Sequence, residues 1–273
     1  MATKQRQILL TNDDSIQSPG LWAAAEALSQ LGYVTIAAPR QQSSGAGRSQ
    51  PPSSDGCIES SFLKIGNQEW KVYAVGGTPA QSVIRGVLEI LPEQPDLVVS
   101  GINYGENPGT DITASGTIGA AIEGAAMGIP SLAVSLQIEN INVEYIRHSR
   151  DIDFSTAAYF TQLVAGWMMK DGLPAGVDLI KVDVPNNATP STTWRITRQA
   201  HQRYFKPVLL QGIEKGDSNI ISADLITPQH KIEPDTDIHA LIIDRVVSIT
   251  PLTLDMTAPI DLAAWEADIR RKP

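Results

Sequence analysis

Apolar runs and amphipathic stretches alternate along the first half of the chain. "QILLT" (7–11) is apolar and stops abruptly at Asn12, Asp13 and Asp14. "SPGLWAAAEALSQLG" (18–32) reads as a helix, with Ser18 at the N-cap, Pro19 in the first position and Gly32 after the end. "YVTIAAP" (33–39) is a second buried strand. The pattern recurs: a helix opening at Thr78–Pro79, a strand over 95–102, a helix of small residues over 117–128 and a strand over 129–136. Between them, 61–75 predicts a hairpin turning at Gly66–Asn67. Strand–helix alternation of this kind implies a parallel sheet covered by helices.

The pattern changes after about residue 140. A long amphipathic helix (153–172) and a strand (177–185) come first. Extended stretches over 193–210 and 218–226 can pair as an arm. A short helix or turn and a final strand (237–252) precede a terminal helix (261–271). We therefore expect residues 1–140 to form the core that carries the site. Residues 141–273 supply the rest of that core, an arm over about 190–235 and the C-terminal helix.

In open α/β sheets, ligands bind beyond the carboxyl ends of the strands. Three polar loops leave from those ends, so residues 11–14, 40–49 and 103–117 are expected to converge. The 40–56 loop, "RQQSSGAGRSQPPSSDG", is long for a compact domain unless it serves a site.

Composition narrows the partners. The chain has 273 residues, 42% of them apolar, and a formal net charge of −9. That balance disfavours a broad nucleic-acid surface. An anionic substrate would need local positive charge, and a bound cation supplies it. The one cysteine, Cys57, allows neither an internal disulfide nor a cysteine metal site and suits a reducing compartment. No run reaches the roughly 20 apolar residues of a membrane span, and the N-terminal apolar run is short for a signal peptide. The expectation is a soluble, cytoplasmic protein.

Asp13 and Asp14 are the first chemical candidates. Adjacent carboxylates repel, and one pKa rises unless a cation neutralises the pair. Mg²⁺ and Mn²⁺ favour such oxygen ligands. The alternative is a solvated turn in which Asn12 or Asp13 caps local backbone. Ser44, in "SSGAG", can add an oxygen to a metal, or the loop is merely flexible. Asn103 lies just past a strand and offers a neutral oxygen. Asn107, Ser115 and Thr117 can donate to a phosphate, with the helix that starts at Thr117 presenting its first amides; equally, Ser115 or Thr117 is only an N-cap. His148, His201, His230 and His239 show no ligand spacing. "TRQAHQRY" (197–204) is basic and could touch a sugar or base, or be a solvated face. Trp194, Tyr204 and Phe205 could stack on a base or simply pack. GxSxG, Walker A and HExxH sequences are absent.

These segments, in order, resemble the SurE (survival protein E) family of metal-dependent nucleotidases. The likeness begins at "ILLTNDDSIQSPGL" and runs through "APRQQSSGAGRS", "GTPAQSV", "PDLVVSGINYGENPGTDITASGTIGAAIEGAAMGIPSLAVS", "VDVP", "TRQAHQRY", "DTDIHAL" and "VSITPL". It implies a Rossmann-like three-layer sandwich with a mostly parallel sheet and a smaller C-terminal region that reaches a neighbouring subunit, in a homodimer or homotetramer. It implies hydrolysis of nucleoside monophosphates at the 5′ or 3′ phosphate, with polyphosphate trimmed by some members. By resemblance Asp13, Asp14, Ser44 and Asn103 hold one Mg²⁺ or Mn²⁺ per subunit. Asn107, Ser115 and Thr117 contact phosphate. Asp13 and Asp14 are the catalytic candidates, either of them able to take the proton of the attacking water while one remains a ligand. The chain departs from the family's pattern at Ser15 (usually Gly), at Arg40, Gln41, Gln42 and Ser43 (usually Asp-Arg-Asn-Gln), at Ala114 and at Ala200. Two other readings compete. A receiver-like signalling module shares the acidic pair but needs an aspartate where this chain has Ser100 and Asn103. A non-catalytic nucleotide-binding protein would keep the pocket without turnover.

Overall fold

The computed structural model describes residues 5–65, 68–138, 152–210, 220–226 and 231–271. The Gly66–Asn67 turn, the boundary near residue 140, His148 and His230 lie outside them.

The apolar runs become the strands of one nine-stranded sheet: β1 (Gln7–Thr11), β2 (Tyr33–Pro39), β3 (Ile58–Ile65), β4 (Gln68–Val75), β5 (Leu97–Tyr104), β6 (Ser131–Leu136), β7 (Leu179–Val184), β8 (Trp194–Ile196) and β11 (Val247–Leu252). Their order is β3-β4-β2-β1-β5-β6-β7-β11-β8. All neighbours are parallel except β3–β4 and β7–β11. The central strands are buried on both faces, which is why they read as continuous apolar runs.

Side chains alternate across each strand and feed two helical layers. Ile8, Leu10, Leu97, Val99, Leu132 and Val134 face α1 (Pro19–Leu28) and α4 (Ser155–Asp171), meeting Leu21, Leu28, Phe160 and Val164. Leu9, Ala37 and Val98 face the opposite layer, where α2 (Pro79–Arg85) and α3 (Gly116–Ala126) contribute Val83 and Ala120. The result is the three-layer α/β sandwich that the pattern implies. A capping box between Thr78 and Gln81 starts α2. Ser18 stands at the N-cap of α1, but its side chain makes no capping bond, and Pro19 sets the first turn instead. Close packing explains the small residues of α3: a Cβ on Gly119 would lie 2.2 Å from the Gly47 carbonyl oxygen, so this glycine lets the 40–56 loop sit on the helix.

The extended stretch over 193–210 is divided. β8 joins the edge of the main sheet beside β11, while β9 (Phe205–Leu210) pairs antiparallel with β10 (Ile220–Leu225) as a separate ribbon. The division falls where Ala200 and Tyr204 are buried. There Asp111 accepts from the backbone amides of Tyr204 and Phe205, and Asp237 accepts from that of Ala200. α5 (Asp237–His239) lies against this junction, and α6 (Leu262–Arg271) ends the described chain with no buried residue.

Candidate functional site

The three polar loops meet at the carboxyl ends of β1, β2 and β5. They line a cavity of about 400 Å³ with Asp13, Asp14, Ser44, Asn103, Asn107 and Ser115. Gly45, Tyr104, Gly105, Glu106, Ile138, Phe205 and Leu225 also line it. Of the seven residues singled out in the sequence, Thr117 alone does not line the cavity.

Asp13 and Asp14 follow the buried end of β1 and are 4% and 5% exposed. Burial pushes the Asp13 carboxyl above the usual range, against hydrogen bonds that favour its ionised form. The chief donor is the Thr117 hydroxyl, and the backbone amides of Asp13, Thr117 and Gly116 also favour the ionised form. The first amides of α3 therefore hold the protein's own Asp13. Thr117, fully buried, orients that carboxylate. Gly116 permits the approach, because a Cβ there would lie 2.8 Å from Asp13 Cβ and 2.9 Å from its Oδ2.

Burial, and then the charge of Asp13, push Asp14 up to about 7. Asp14 accepts from the Tyr104 amide at 2.9 Å and from Gln42 Nε2 at 3.2 Å. The same Gln42 nitrogen donates to Ser44 Oγ at 3.1 Å. One amide group thus bridges two candidate cation ligands. Asn103 commits its amide nitrogen to the Gly105 carbonyl at 2.6 Å, which leaves its oxygen as the ligating end. Asn12 Oδ1, buried beside the acidic pair, has no hydrogen-bond partner among the described residues. Ser15 follows at φ +82°, in the left-handed region where glycine is freer.

Ser115 caps α3 by accepting from the Ile118 amide at 3.2 Å. Capping uses an oxygen lone pair, so the Ser115 hydroxyl proton can still serve an anion in the cavity. Asn107 is fixed twice: its amide nitrogen donates to Ser135 Oγ at 2.9 Å and its backbone N–H to Asp183 Oδ1 at 2.9 Å.

Behind this loop lies a polar cluster that sequence reading did not find. Lys181, Asp183 and Asp237 are all fully buried. Lys181 Nζ pairs with Asp183 and, at 2.9 Å, with Asp237. Burial opposes the Lys181 charge, but the two carboxylates outweigh it and hold its pKa above the ordinary value. Asp237 also accepts from the Gly109 amide at 2.9 Å, so the cluster clamps the 105–109 loop at Asn107 and at Gly109. A signal was present in "LIKVDV": two opposite charges, two residues apart, on one face of an otherwise apolar strand. Gln42 and Glu106 were also missed as site residues. Burial pushes the Glu106 carboxyl up. His201 is exposed, and His239 pairs with Asp244 at 3.0 Å, away from the cavity lining. Tyr204 packs inward, Phe205 reaches the cavity, and Trp194 lies half-exposed on β8.

Comparison with known proteins identifies the family. The profile of the family described as "Survival protein SurE" matches residues 8–206. The chain is 41% identical over 258 residues to the protein named 5′-nucleotidase SurE of Thermococcus gammatolerans, covering 93% of this chain and 92% of that one. It is 40% identical over 269 residues to the protein of the same name from Methanococcoides burtonii, covering 96% and 98%. The crystal structure of the SurE protein from Aquifex aeolicus superimposes with a TM-score of 0.74 at 32% identity, over 96% of this chain and 99% of that one. Motif order, fold and similarity over nearly the whole length give one conclusion: the chain belongs to the SurE survival protein family.

Proposed function

We propose that the chain is a divalent-cation-dependent 5′-nucleotidase that splits nucleoside 5′-monophosphates into nucleoside and inorganic phosphate. One observation carries this reading. Two carboxylates, a hydroxyl and a side-chain amide line one cavity whose volume suits a small-molecule ligand. The relatives named 5′-nucleotidase SurE support the reaction and the substrate class.

The donor set fits a hard cation. Asp13, Asp14, Ser44 and Asn103 offer oxygen alone, and among the described residues there is no group of three or more His, Cys, Asp or Glu side chains placed to hold a metal. Two charged ligands with neutral oxygens and water suit Mg²⁺ or Mn²⁺ better than Zn²⁺, which favours nitrogen and sulfur. When bound, such an ion neutralises phosphate charge and lowers the pKa of a coordinated water. The chain's own residues do the rest. Asn107 and Ser115 donate to phosphate oxygens, and Thr117 with the α3 amides holds Asp13 in place. One carboxylate of the pair takes the proton of the attacking water. The water oxygen bonds to phosphorus as the phosphorus–oxygen bond to the nucleoside breaks, and the proton taken by the carboxylate is returned to the leaving oxygen, so that the products are the nucleoside 5′-alcohol and inorganic phosphate.

The same reading extends to some 3′-phosphates, to a homodimer or homotetramer and to a cytoplasmic setting. Self-association is supported by α6, where Leu262, Trp265 and Ile269 are 55–57% exposed on a helix that buries nothing in its own subunit. The exposed, unpaired Cys57 suits a reducing compartment. The test is phosphate release from a panel of 5′- and 3′-nucleoside monophosphates with Mg²⁺, with Mn²⁺ and with a chelator. Metal-dependent release from 5′-nucleotides is expected. Binding without release under either metal would favour the non-catalytic reading.

A further inference from the structure

We infer that Glu106 is the residue by which this cavity recognises the ribose hydroxyls of its nucleotide, beside an apolar wall of Ile138, Phe205 and Leu225 that takes the base. The inference rests on the nucleotidase reading and deepens it.

The cavity lining is mixed in chemistry. Apart from the cation and phosphate candidates and two glycines, its lining residues are Tyr104, Ile138, Phe205, Leu225 and one carboxylate, Glu106. That carboxylate is 5% exposed, yet it lines the cavity. The Tyr204 hydroxyl donates to its Oε1 at 2.8 Å and the Ile138 amide to its Oε2 at 3.2 Å. Both oxygens are thereby fixed, and each keeps acceptor capacity for another donor. Two neighbouring acceptor oxygens match a vicinal diol, the chemistry by which acidic side chains elsewhere read ribose. A negative group here also disfavours the reversed pose, in which the phosphate would lie against it.

The surroundings are pre-organised. Gln137 Nε2 reaches the Tyr204 hydroxyl at 3.4 Å, and Arg245 donates to Gln137 Oε1 at 2.6 Å. Asp111 holds the backbone amides of Tyr204 and Phe205 at 2.9 and 2.8 Å, and the two rings meet edge to face at 4.9 Å. The Phe205 ring is therefore presented to the cavity from a fixed backbone, without the ordering penalty that a mobile loop would add.

The test uses the full chain and Glu106→Gln. Two quantities are measured on AMP and on 2′,3′-dideoxy-AMP: kcat/KM with Mn²⁺, and Kd by calorimetry. p-Nitrophenyl phosphate, which has no sugar, is the third substrate. Loss of hydrogen bonds to a charged acceptor predicts that the wild type favours AMP over the dideoxy analogue by about ten-fold or more. In Glu106→Gln the introduced NH₂ group opposes a protein donor or replaces an acceptor, so that preference falls to within about three-fold. The loss on AMP should also exceed the loss on p-nitrophenyl phosphate by about ten-fold. Equal handling of AMP and its dideoxy analogue by the wild type overturns the inference without any variant. So does a variant that loses all three substrates in proportion. Absence of phosphate release from every substrate would instead defeat the nucleotidase reading, and the ratio of the two calorimetric Kd values would then decide the role of Glu106.

Discussion

Replacing Lys181 with methionine removes one charge from a fully buried trio while keeping similar bulk. The lysine faces Asp183 and Asp237, and no member of the trio is exposed. Breaking a buried ion pair by deleting one partner costs about 3–5 kcal/mol, because the remaining charge is left without its counterion. Here two carboxylates are left. They retain backbone donors from Asn107, Gly109 and Ala200, which places the expected loss near the lower end, about 3 kcal/mol. For a chain of this size, roughly 2 °C of Tm accompanies each kcal/mol, so Tm should fall by about 6 °C at pH 8. The sign of the pH dependence is a second check. In the wild type the lysine holds Asp237 below the usual carboxylate range despite burial. The stability this contributes is present above the unfolded pKa of about 4 and disappears only as pH falls through the folded value. Without the lysine, burial is left to raise the Asp237 carboxyl, and its penalty grows as pH rises. The gap between variant and wild type should therefore widen from pH 5 to pH 8, as read by calorimetry. Adding Asp183→Asn and Asp237→Asn should recover part of the loss. A Tm within about 2 °C of wild type at pH 8, or a gap that does not change with pH, would refute the assignment of this cluster as a charged clamp.

Asp13→Asn should abolish phosphate release at saturating Mn²⁺ while Tm in the absence of metal stays equal or rises, since burial already penalises the charge it removes; near-wild-type turnover would remove Asp13 from the mechanism. Gly116→Ala and Thr117→Val should each weaken Mn²⁺ binding about ten-fold or more by titration calorimetry, the first by pushing Asp13 aside and the second by removing its hydroxyl donor. Asp14, held up to about 7 in the free protein, gives a metal-free stability contribution that is full below its unfolded pKa and lost as pH rises through 7. Mn²⁺ should therefore raise Tm more at pH 8 than at pH 5.5 in thermal scans, because the ion must displace a proton at the lower pH.

The core was legible because it depends on local pattern. "ILL", "YVTIAAP" and "LVVSGI" are strands because both faces of a parallel sheet are covered, and that condition writes itself into consecutive residues. The meeting of Asp13, Ser44 and Asn103 also followed, since the loops of such a sheet share one edge. Other features depend on partners distant in sequence. Thr117 is 104 residues from the Asp13 carboxylate it orients, and nothing local separates that role from capping or from phosphate contact. The division of 193–210 into β8 and β9 depends on Asp111 and Asp237, which hold the junction from two other elements. Gln42 stood out only as a departure from the family's pattern, yet its side chain bridges Asp14 and Ser44. Glu106 sits among loop residues whose composition gives no sign of burial.

The central claim is that three remote loops hold one hard cation. Anomalous scattering from a crystal soaked in Mn²⁺ tests it most directly. We expect a single strong peak bonded to Asp13 and Asp14, within reach of Ser44 Oγ and Asn103 Oδ1, with the Gln42 amide displaced from between its two acceptors. A cavity without a peak, or manganese bound elsewhere on the chain, would contradict it.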